Sequence, residues 1–242
     1  MKDKEFEKRN SKFIKLMSNN IKFKKQSQQW FNNSIKYEYS YHFTWLGRPI
    51  IQYPQDILAL QELIWKIKPD LIIETGIARG GSIILSASIL ELMGKGQVIG
   101  IDTDIRKHNK QEIEKHSMFK RITMIQGSSI DKDVIKKVKR LAKGKKKIMI
   151  ILDSNHTHKH VIKELKEYSP LVRKDSYLIV FDTVIEDMPK ELIQKRPWGI
   201  GNNPKTAIKE FLKTNDRFQI DKEIECKLLV TAAPGGYLKC IK

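Results

Sequence analysis

The chain has 242 residues, 40% of them hydrophobic, with 46 Lys and Arg against 28 Asp and Glu and a formal net charge of +18. That length fits one large α/β domain with extensions and excludes a chain too short to bury a core. No apolar run approaches the ~20 residues of a membrane span, and Met1-Lys2-Asp3-Lys4-Glu5 lacks the apolar stretch of a signal peptide, so a cytoplasmic protein is expected.

Residues 1–36 are polar and lysine-rich, with scattered Phe6, Phe13, Ile14, Leu16, Met17, Ile21 and Phe23. The pattern predicts a helix with a thin apolar stripe, an extension ahead of a main domain over 37–242. Such a helix docks on the main domain or on a neighbouring subunit, and a homo-oligomer is expected. Tyr37, Tyr39, Tyr41, Phe43 and Trp45 then crowd one short stretch before Gly47 and Pro49 break it. That density suits a cap over a pocket and equally suits packing against the core. From Asp56 to Trp65 apolar residues recur at helical spacing, with Asp56 placed to cap or favour the helix start.

The stretch Leu71-Ile-Ile-Glu74-Thr75-Gly76-Ile77-Ala78-Arg79-Gly80-Gly81-Ser82 reads as a strand, a tight loop and a helix start. Glycines let a backbone approach a ligand closely, and a helix start offers free N–H groups to an anion. The loop spells no Gly-x-x-x-x-Gly-Lys-Ser/Thr phosphate cradle, and a carboxylate opens it. An acid there repels a pyrophosphate but suits a cation. S-adenosylmethionine, with its sulfonium and amino group, is therefore the expected cofactor, bound by Glu74, Gly76, Ala78, Gly80 and Ser82. Gln97 to Asp102 is a second strand whose terminal acid would accept from a ribose hydroxyl.

After a polar helix around residues 110–116, Arg121 to Ile125 reads as a third strand, and Ser128 just beyond it is the candidate adenine contact. Ile148-Met-Ile-Ile-Leu152 is apolar throughout, as in a strand buried on both faces, and delivers Asp153 to the same rim, beside cofactor and metal alike. A helix over 157–168 follows, then a fifth strand, Ser176 to Thr183, carrying Asp182. Acids at 74, 102, 153 and 182 on one rim form a cationic site. Asp153 and Asp182 together could hold Mg²⁺, a hard cation that takes carboxylates and water; the plainer alternative has Asp153 only capping the next helix.

Residues 184–203, rich in Pro and Gly, read as a lid or specificity loop. A helix resumes at Ala207 to Leu212, residues 218–221 and 227–231 are strand-like, and Tyr237 to Ile241 completes a hairpin that closes the sheet antiparallel. The predicted fold is α/β and Rossmann-like: a mostly parallel seven-stranded sheet with helices on both faces and a C-terminal antiparallel hairpin. Cys226 and Cys240 lack metal or disulfide spacing and read as small hydrophobes. The positive charge favours nucleic acid or an anionic lipid surface. Its densest runs, however, are lysine rather than arginine, and over 132–147 few aromatics interleave to stack bases, so a solvated surface is expected there.

Phe43-Thr-Trp-Leu-Gly-Arg-Pro-Ile-Ile-Gln52-Tyr-Pro-Gln-Asp56, Ile73 through Ser82, Leu152-Asp-Ser-Asn-His156, Asp182-Thr183 and Thr231 through Tyr237 resemble the cephalosporin hydroxylase / rhamnosyl O-methyltransferase family. The resemblance spans roughly residues 37–242 and implies a class I S-adenosylmethionine-dependent methyltransferase fold, Mg²⁺ dependence in at least some members, and O-methylation of sugars or secondary metabolites. Nothing in the chain looks like a 2-His-1-carboxylate iron site, so the hydroxylase half of the family name is not carried over. The family's acidic pair after the fifth strand is reduced, since Phe181 stands where its first member would be. By residue offset from catechol-type O-methyltransferases, Asp153, His156, Asp182 and Thr183 fall on a metal Asp, a basic residue, and an Asp-Asn pair.

The expected chemistry is in-line displacement: a hydroxyl of a small-molecule acceptor attacks the S-methyl carbon, with Mg²⁺ orienting it and His156 as general base, His158 and His160 being competitors for that role. The rival reading is an RNA methyltransferase, or a basic protein binding RNA or an anionic surface on a methyltransferase scaffold. The Asn/Asp-Pro-Pro-Tyr/Phe signature of amino-group methylases is absent, which favours oxygen as acceptor.

Overall fold

The computed structural model describes residues 3–193 and 195–242; the first two residues of the predicted extension and Gln194 of the predicted lid lie outside them. The extension is two helices rather than one. Helix α1 (Asp3–Asn19) stops at Asn20, whose extended backbone (φ −80°, ψ 97°) and side-chain acceptor for the Phe23 amide start α2 (Ile21–Ile35). Asparagine competes with a helix interior but suits that cap. No residue of α1 is buried, whereas α2 sinks Ser27, Phe31 and Ser34 into the body.

The aromatic stretch folds as a 3₁₀ turn (Tyr39–Tyr41) and a short antiparallel hairpin, β1 (Phe43–Trp45) and β2 (Arg48–Ile50). It serves both predicted ends: Tyr41 lines the central cleft, while Trp45 donates its indole N–H to Ser88 at 3.0 Å. Helix α3 (Pro54–Ile67) starts from Tyr53, with Pro54 in its first turn, so Asp56 is not the cap.

From there strands and helices alternate: β3 (Leu71–Thr75), α4 (Gly81–Leu92), β4 (Gln97–Asp102), α5 (Lys107–Lys115), β5 (Ile122–Gln126), α6 (Lys132–Ala142), β6 (Ile148–Leu152), α7 (His158–Tyr168) and β7 (Tyr177–Val180). The chain ends with α8 (Pro204–Thr214), β8 (Phe218–Ile220), α9 (Lys222–Leu228) and β9 (Tyr237–Cys240). Strand order is β5-β4-β3-β6-β7-β9-β8, the first five parallel and β9 antiparallel to both its neighbours. Two expectations are corrected. Arg121 belongs to a 3₁₀ turn before β5, and the strand-like 227–231 is no strand: Lys227 and Leu228 end α9, which Asp221 nucleates by accepting from the Glu223 and Ile224 amides, and the rest is loop. The antiparallel pair β8 and β9 is thus joined by a helix and loop, not a tight turn.

Every residue of β3 and β6 is buried, as parallel strands covered on both faces must be. Side chains on one face of the sheet pack with α3 and α4, and those on the other with α6, α7 and α8. Strand parity places Glu74 on the Ile72 face, inside the sheet. There the Ser82 hydroxyl donates to one carboxylate oxygen, and the other, fully buried, has no partner among the described residues. Burial therefore raises the Glu74 pKa from 4.5 to about 7.

Asp56 is a second interior acid. It accepts from the Thr231 hydroxyl (2.5 Å), the Ala232 amide (2.8 Å) and the Tyr237 hydroxyl (2.7 Å), pinning the loop before β9 to α3. Burial outweighs those bonds and lifts its pKa from 3.8 to about 6.

Two stability predictions follow from these carboxyls. Asp56→Ala orphans three buried donors and should destabilise the fold by on the order of 3 kcal/mol or more, read as a melting temperature lower by roughly 6–12 °C. For Glu74, whose folded pKa is raised, the stability contribution is complete below pH 4.5 and lost as pH rises to about 7. Glu74→Gln, which mimics the protonated acid, should match wild type near the lower limit and exceed it by on the order of 3 kcal/mol above the upper one. Parallel denaturation curves across that range would refute the buried titration.

Candidate active site

Strands β3, β4 and β5 run outward in order, and the chain then returns to β6 on the other side of β3. In open α/β sheets the carboxyl edge at such a reversal is where ligands bind. The loops leaving β3, β4, β6 and β7 meet there around a cleft of about 490 Å³, walled by Gly76, Ala78, Asp102, Asp153, His156 and Asp182 among others. The lysine run over 143–147 precedes β6 and so lies at the opposite, amino edge, where the Lys146 and Lys147 amides donate to Asp70.

The loop after β3 is held before any ligand arrives. Gly76 (φ +93°) sits so close to β6 that a Cβ would fall 2.0 Å from the Asp153 carbonyl oxygen. Its missing side chain therefore makes room for the neighbouring loop as well as for the cleft it lines. Asp102 Oδ2 accepts from the Ile77 and Ala78 amides (2.8 and 3.1 Å), and its Oδ1 from the Asp104 amide (3.0 Å). A carboxylate has about four acceptor sites, so one remains for a ribose hydroxyl. On the outer side Asn109 donates to the Ala78 carbonyl (3.0 Å) and Arg48 to the Arg79 carbonyl (2.6 Å). Gly80 (φ +89°) opens α4.

The remaining predicted cofactor residues lie further off. Glu74 and Ser82 bond each other beneath the loop and neither lines the cleft. Ser128 follows β5 at the same edge, its carbonyl taking the Asp131 amide (2.9 Å), and is likewise outside the cleft wall.

Asp153, His156 and Asp182 come together: one ligand atom from each lies within 4.8 Å of the others. His156 Nε2 is 3.0 Å from Asp182 Oδ2, and the Gln52 carboxamide donates to Asp153 Oδ2 at 3.0 Å. Asp182 adopts a left-handed backbone (φ 55°), uncommon outside glycine. Burial, and then the charges of Asp182, Glu74, Glu164 and Asp56, hold the Asp153 carboxyl well above the ordinary carboxylate range. Among the described residues no Lys or Arg bridges Asp153 or Asp182. Two carboxylates in an acid-rich, cation-poor pocket are a donor set that fits a divalent cation. Phe181 adds no ligand, being buried edge-on against Tyr237 (6.4 Å).

The other histidines are committed elsewhere. His158 bonds Thr206 (2.8 Å) and Glu210 (2.9 Å) on α8, and His160 bonds Ser129 at 3.0 Å and approaches buried Glu164. Residues 184–203 wall the cleft through Ile185, Met188, Arg196 and Trp198. Trp198 meets the His156 ring edge-on at 4.7 Å, with the Arg196 guanidinium 5.6 Å from the indole centroid. Glu186 anchors the segment by accepting from the Gly201 amide (2.9 Å) and the Asn203 carboxamide. Gln52, Arg48, Asn109 and Trp198 were not singled out by sequence reasoning. Gln52 alone carried a signal, as a lone amide in an apolar run ahead of a proline.

The family described as Rhamnosyl O-methyltransferase/CmcI matches residues 37–241. A rhamnosyl O-methyltransferase of Mycobacterium bovis (strain BCG / Pasteur 1173P2) is 30% identical over 199 residues, 81% of this chain and 77% of that protein. The Mycobacterium leprae protein of the same description is 28% identical over 198 residues, covering 81% and 82%. Among solved structures, apo CmcI superposes with a TM-score of 0.61 at 20% identity, over 84% of this chain and 77% of that one. CmcI with Mg and SAM gives 0.59 at 19%, over 84% and 78%. The O-methyltransferase TomG of Streptomyces achromogenes, in complex with SAM, gives 0.55 at 15%, over 78% and 80%. The structural likenesses show the fold; the sequence matches show that the chain belongs to the Rhamnosyl O-methyltransferase/CmcI family of S-adenosylmethionine-dependent O-methyltransferases.

Proposed function

We propose that the chain methylates a hydroxyl of a sugar or secondary metabolite, using S-adenosylmethionine and a Mg²⁺-type divalent cation. The observation that carries this reading is the meeting of Asp153, His156 and Asp182 beside the Gly76–Ala78 loop in one cleft. The names of the mycobacterial relatives and the Mg and SAM of the CmcI structure support it.

The cofactor's part is to present a methyl carbon on sulfonium, and a cation's is to lower the pKa of the acceptor hydroxyl. The chain's own residues do the rest. Gly76, Ala78 and Asp102 seat the cofactor on a loop already held by the four hydrogen bonds named above to Ile77, Ala78 and Arg79, so little ordering remains to be done on binding. Gln52 occupies one oxygen of Asp153 and His156 faces one oxygen of Asp182, which leaves a second oxygen on each acid for the cation. His156 would take the proton of the acceptor hydroxyl as its oxygen accepts the methyl group that the cofactor would supply. Asp182, at 3.0 Å, then stabilises the imidazolium. Ile185, Met188, Arg196 and Trp198 would wall the acceptor side.

Calorimetry with S-adenosylmethionine tests the pocket. Asp102→Ala frees the Ile77 and Ala78 amides and should weaken cofactor binding by about 1–3 kcal/mol, roughly 5- to 150-fold. Wild-type affinity in that variant would displace the cofactor from this loop.

Methyl transfer to a hydroxylated acceptor should fall at least about 100-fold in Asp153→Ala and Asp182→Ala, and excess chelator should reproduce the loss in wild type. Because Phe181 supplies no carboxylate, Mg²⁺ alone should bind weakly by titration. Full turnover in chelator would remove the cation and leave His156 with Asp182 as the whole proton-accepting unit.

A further inference from the structure

Helix α1 is the longest helix among the described residues, the proposed chemistry leaves it unused, and its orientation is unusual. Ser11, Ile14, Lys15 and Ser18, spaced along one helical row, line a groove against α3 and α9. The more apolar side of the same helix faces away from the body: Phe6, Phe13 and Leu16 are 52%, 55% and 56% exposed. Past the break at Asn20, Ile21 and Phe23 at the start of α2 are exposed as well. A helix that only completed the core would turn these side chains inward.

The polar residues around the stripe identify what covers it. Over residues 3–36 there are nine Lys and Arg against three Asp and Glu. Lys4, Lys8 and Lys12, four residues apart, flank the apolar row, and the Arg9 guanidinium lies 5.7 Å from the Phe13 ring centroid within it. Aromatic and aliphatic side chains bordered by lysines, with low overall hydrophobicity, are the composition of a helix lying in the plane of a lipid surface. Lysine stems snorkel along such a surface toward anionic headgroups. A second copy of the chain fits less well, because pairing two such faces would bring two strongly basic segments of a +18 protein together. No helix among the described residues is long and apolar enough to cross a membrane, so the contact is peripheral.

We propose that α1 and the first turn of α2 dock the protein on an anionic bilayer surface, with Phe6, Phe13 and Leu16 entering the headgroup boundary. This placement is independent of the cleft and of the reaction assigned to it.

Co-sedimentation of the full chain with lipid vesicles tests the proposal. Wild type should pellet with phosphatidylcholine vesicles containing about 30% phosphatidylglycerol and much less with phosphatidylcholine alone, and raised salt should weaken the binding. Phe6→Ser/Phe13→Ser/Leu16→Ser should lower vesicle affinity about tenfold or more with an unchanged melting temperature, since none of the three is buried. Lys4→Gln/Lys8→Gln/Lys12→Gln should remove the preference for anionic lipid. Absence of wild-type binding, or binding unaltered in the serine variant, overturns the proposal. So does light scattering that shows a dimer split by the serine variant without any vesicle binding, which would assign the face to a second copy. Binding of single-stranded RNA, lost in the serine variant while vesicles are ignored, would assign it to nucleic acid.

Discussion

The contact between Gly76 and the Asp153 carbonyl is the constraint on which the site depends. Strands β3 and β6 are hydrogen-bonded neighbours, and the Asp153 amide continues their ladder by donating to the Thr75 carbonyl at 2.9 Å. The two loops leaving them must therefore diverge from adjacent points, and a side chain at position 76 would hold them apart. With no Cβ there, the loop that carries Ala78 and the loop that carries Asp153 and His156 share one wall of the cleft. The proposed methyl donor and the proposed proton acceptor can then lie within bonding reach of one substrate atom.

That closeness has an electrostatic consequence. Glu74, Asp153 and Asp182 converge near one end of the sheet, Asp56 and Glu164 add to the field, and among the described residues no Lys or Arg forms an ion pair with Asp153 or Asp182, Arg196 of the cleft wall lying over Trp198 instead. The net charge of +18 thus says nothing about this pocket, whose local sign is negative. Burial makes the local field count, since solvent does not screen it as it screens the surface lysines. An interior this acidic persists only with protons or a cation as counter-charge. The raised Asp153, Glu74 and Asp56 carboxyls are the protonated half of that alternative.

What could be read from sequence followed from local pattern. The strand runs Leu71–Thr75 and Ile148–Leu152, the glycines of the first loop and the acids after each strand were legible because each signal sits within a few residues. Contacts that act across the chain were not. Asp56 read as a first-turn acid, and nothing near it announces partners at 231, 232 and 237. Gln52 reaches Asp153 across 101 positions, and Arg48 reaches Arg79 across 31. Glu74 was placed at the rim by its position before the glycines, whereas strand parity turns it into the sheet beside Ile72. The stretch 227–231 has apolar content suited to a strand, and the cap that makes α9 lies upstream at Asp221.

Positions 181 and 182 divide their work between the core and the cleft. Phe181 shares the parity of Ile179, so its side chain enters the core that Tyr237 closes, and an apolar residue there adds buried area instead of an unpaired acid. Asp182 follows with φ at 55°, a conformation that disfavours most L-residues by roughly 1 kcal/mol and that Asp tolerates better than most. An extended residue at 182 would continue the line of β7. The left-handed turn instead breaks from the strand and leaves the carboxylate 3.0 Å from His156. The left-handed turn at Asp182, a conformation that Asp tolerates, is thus what brings its carboxylate into the cluster with Asp153 and His156.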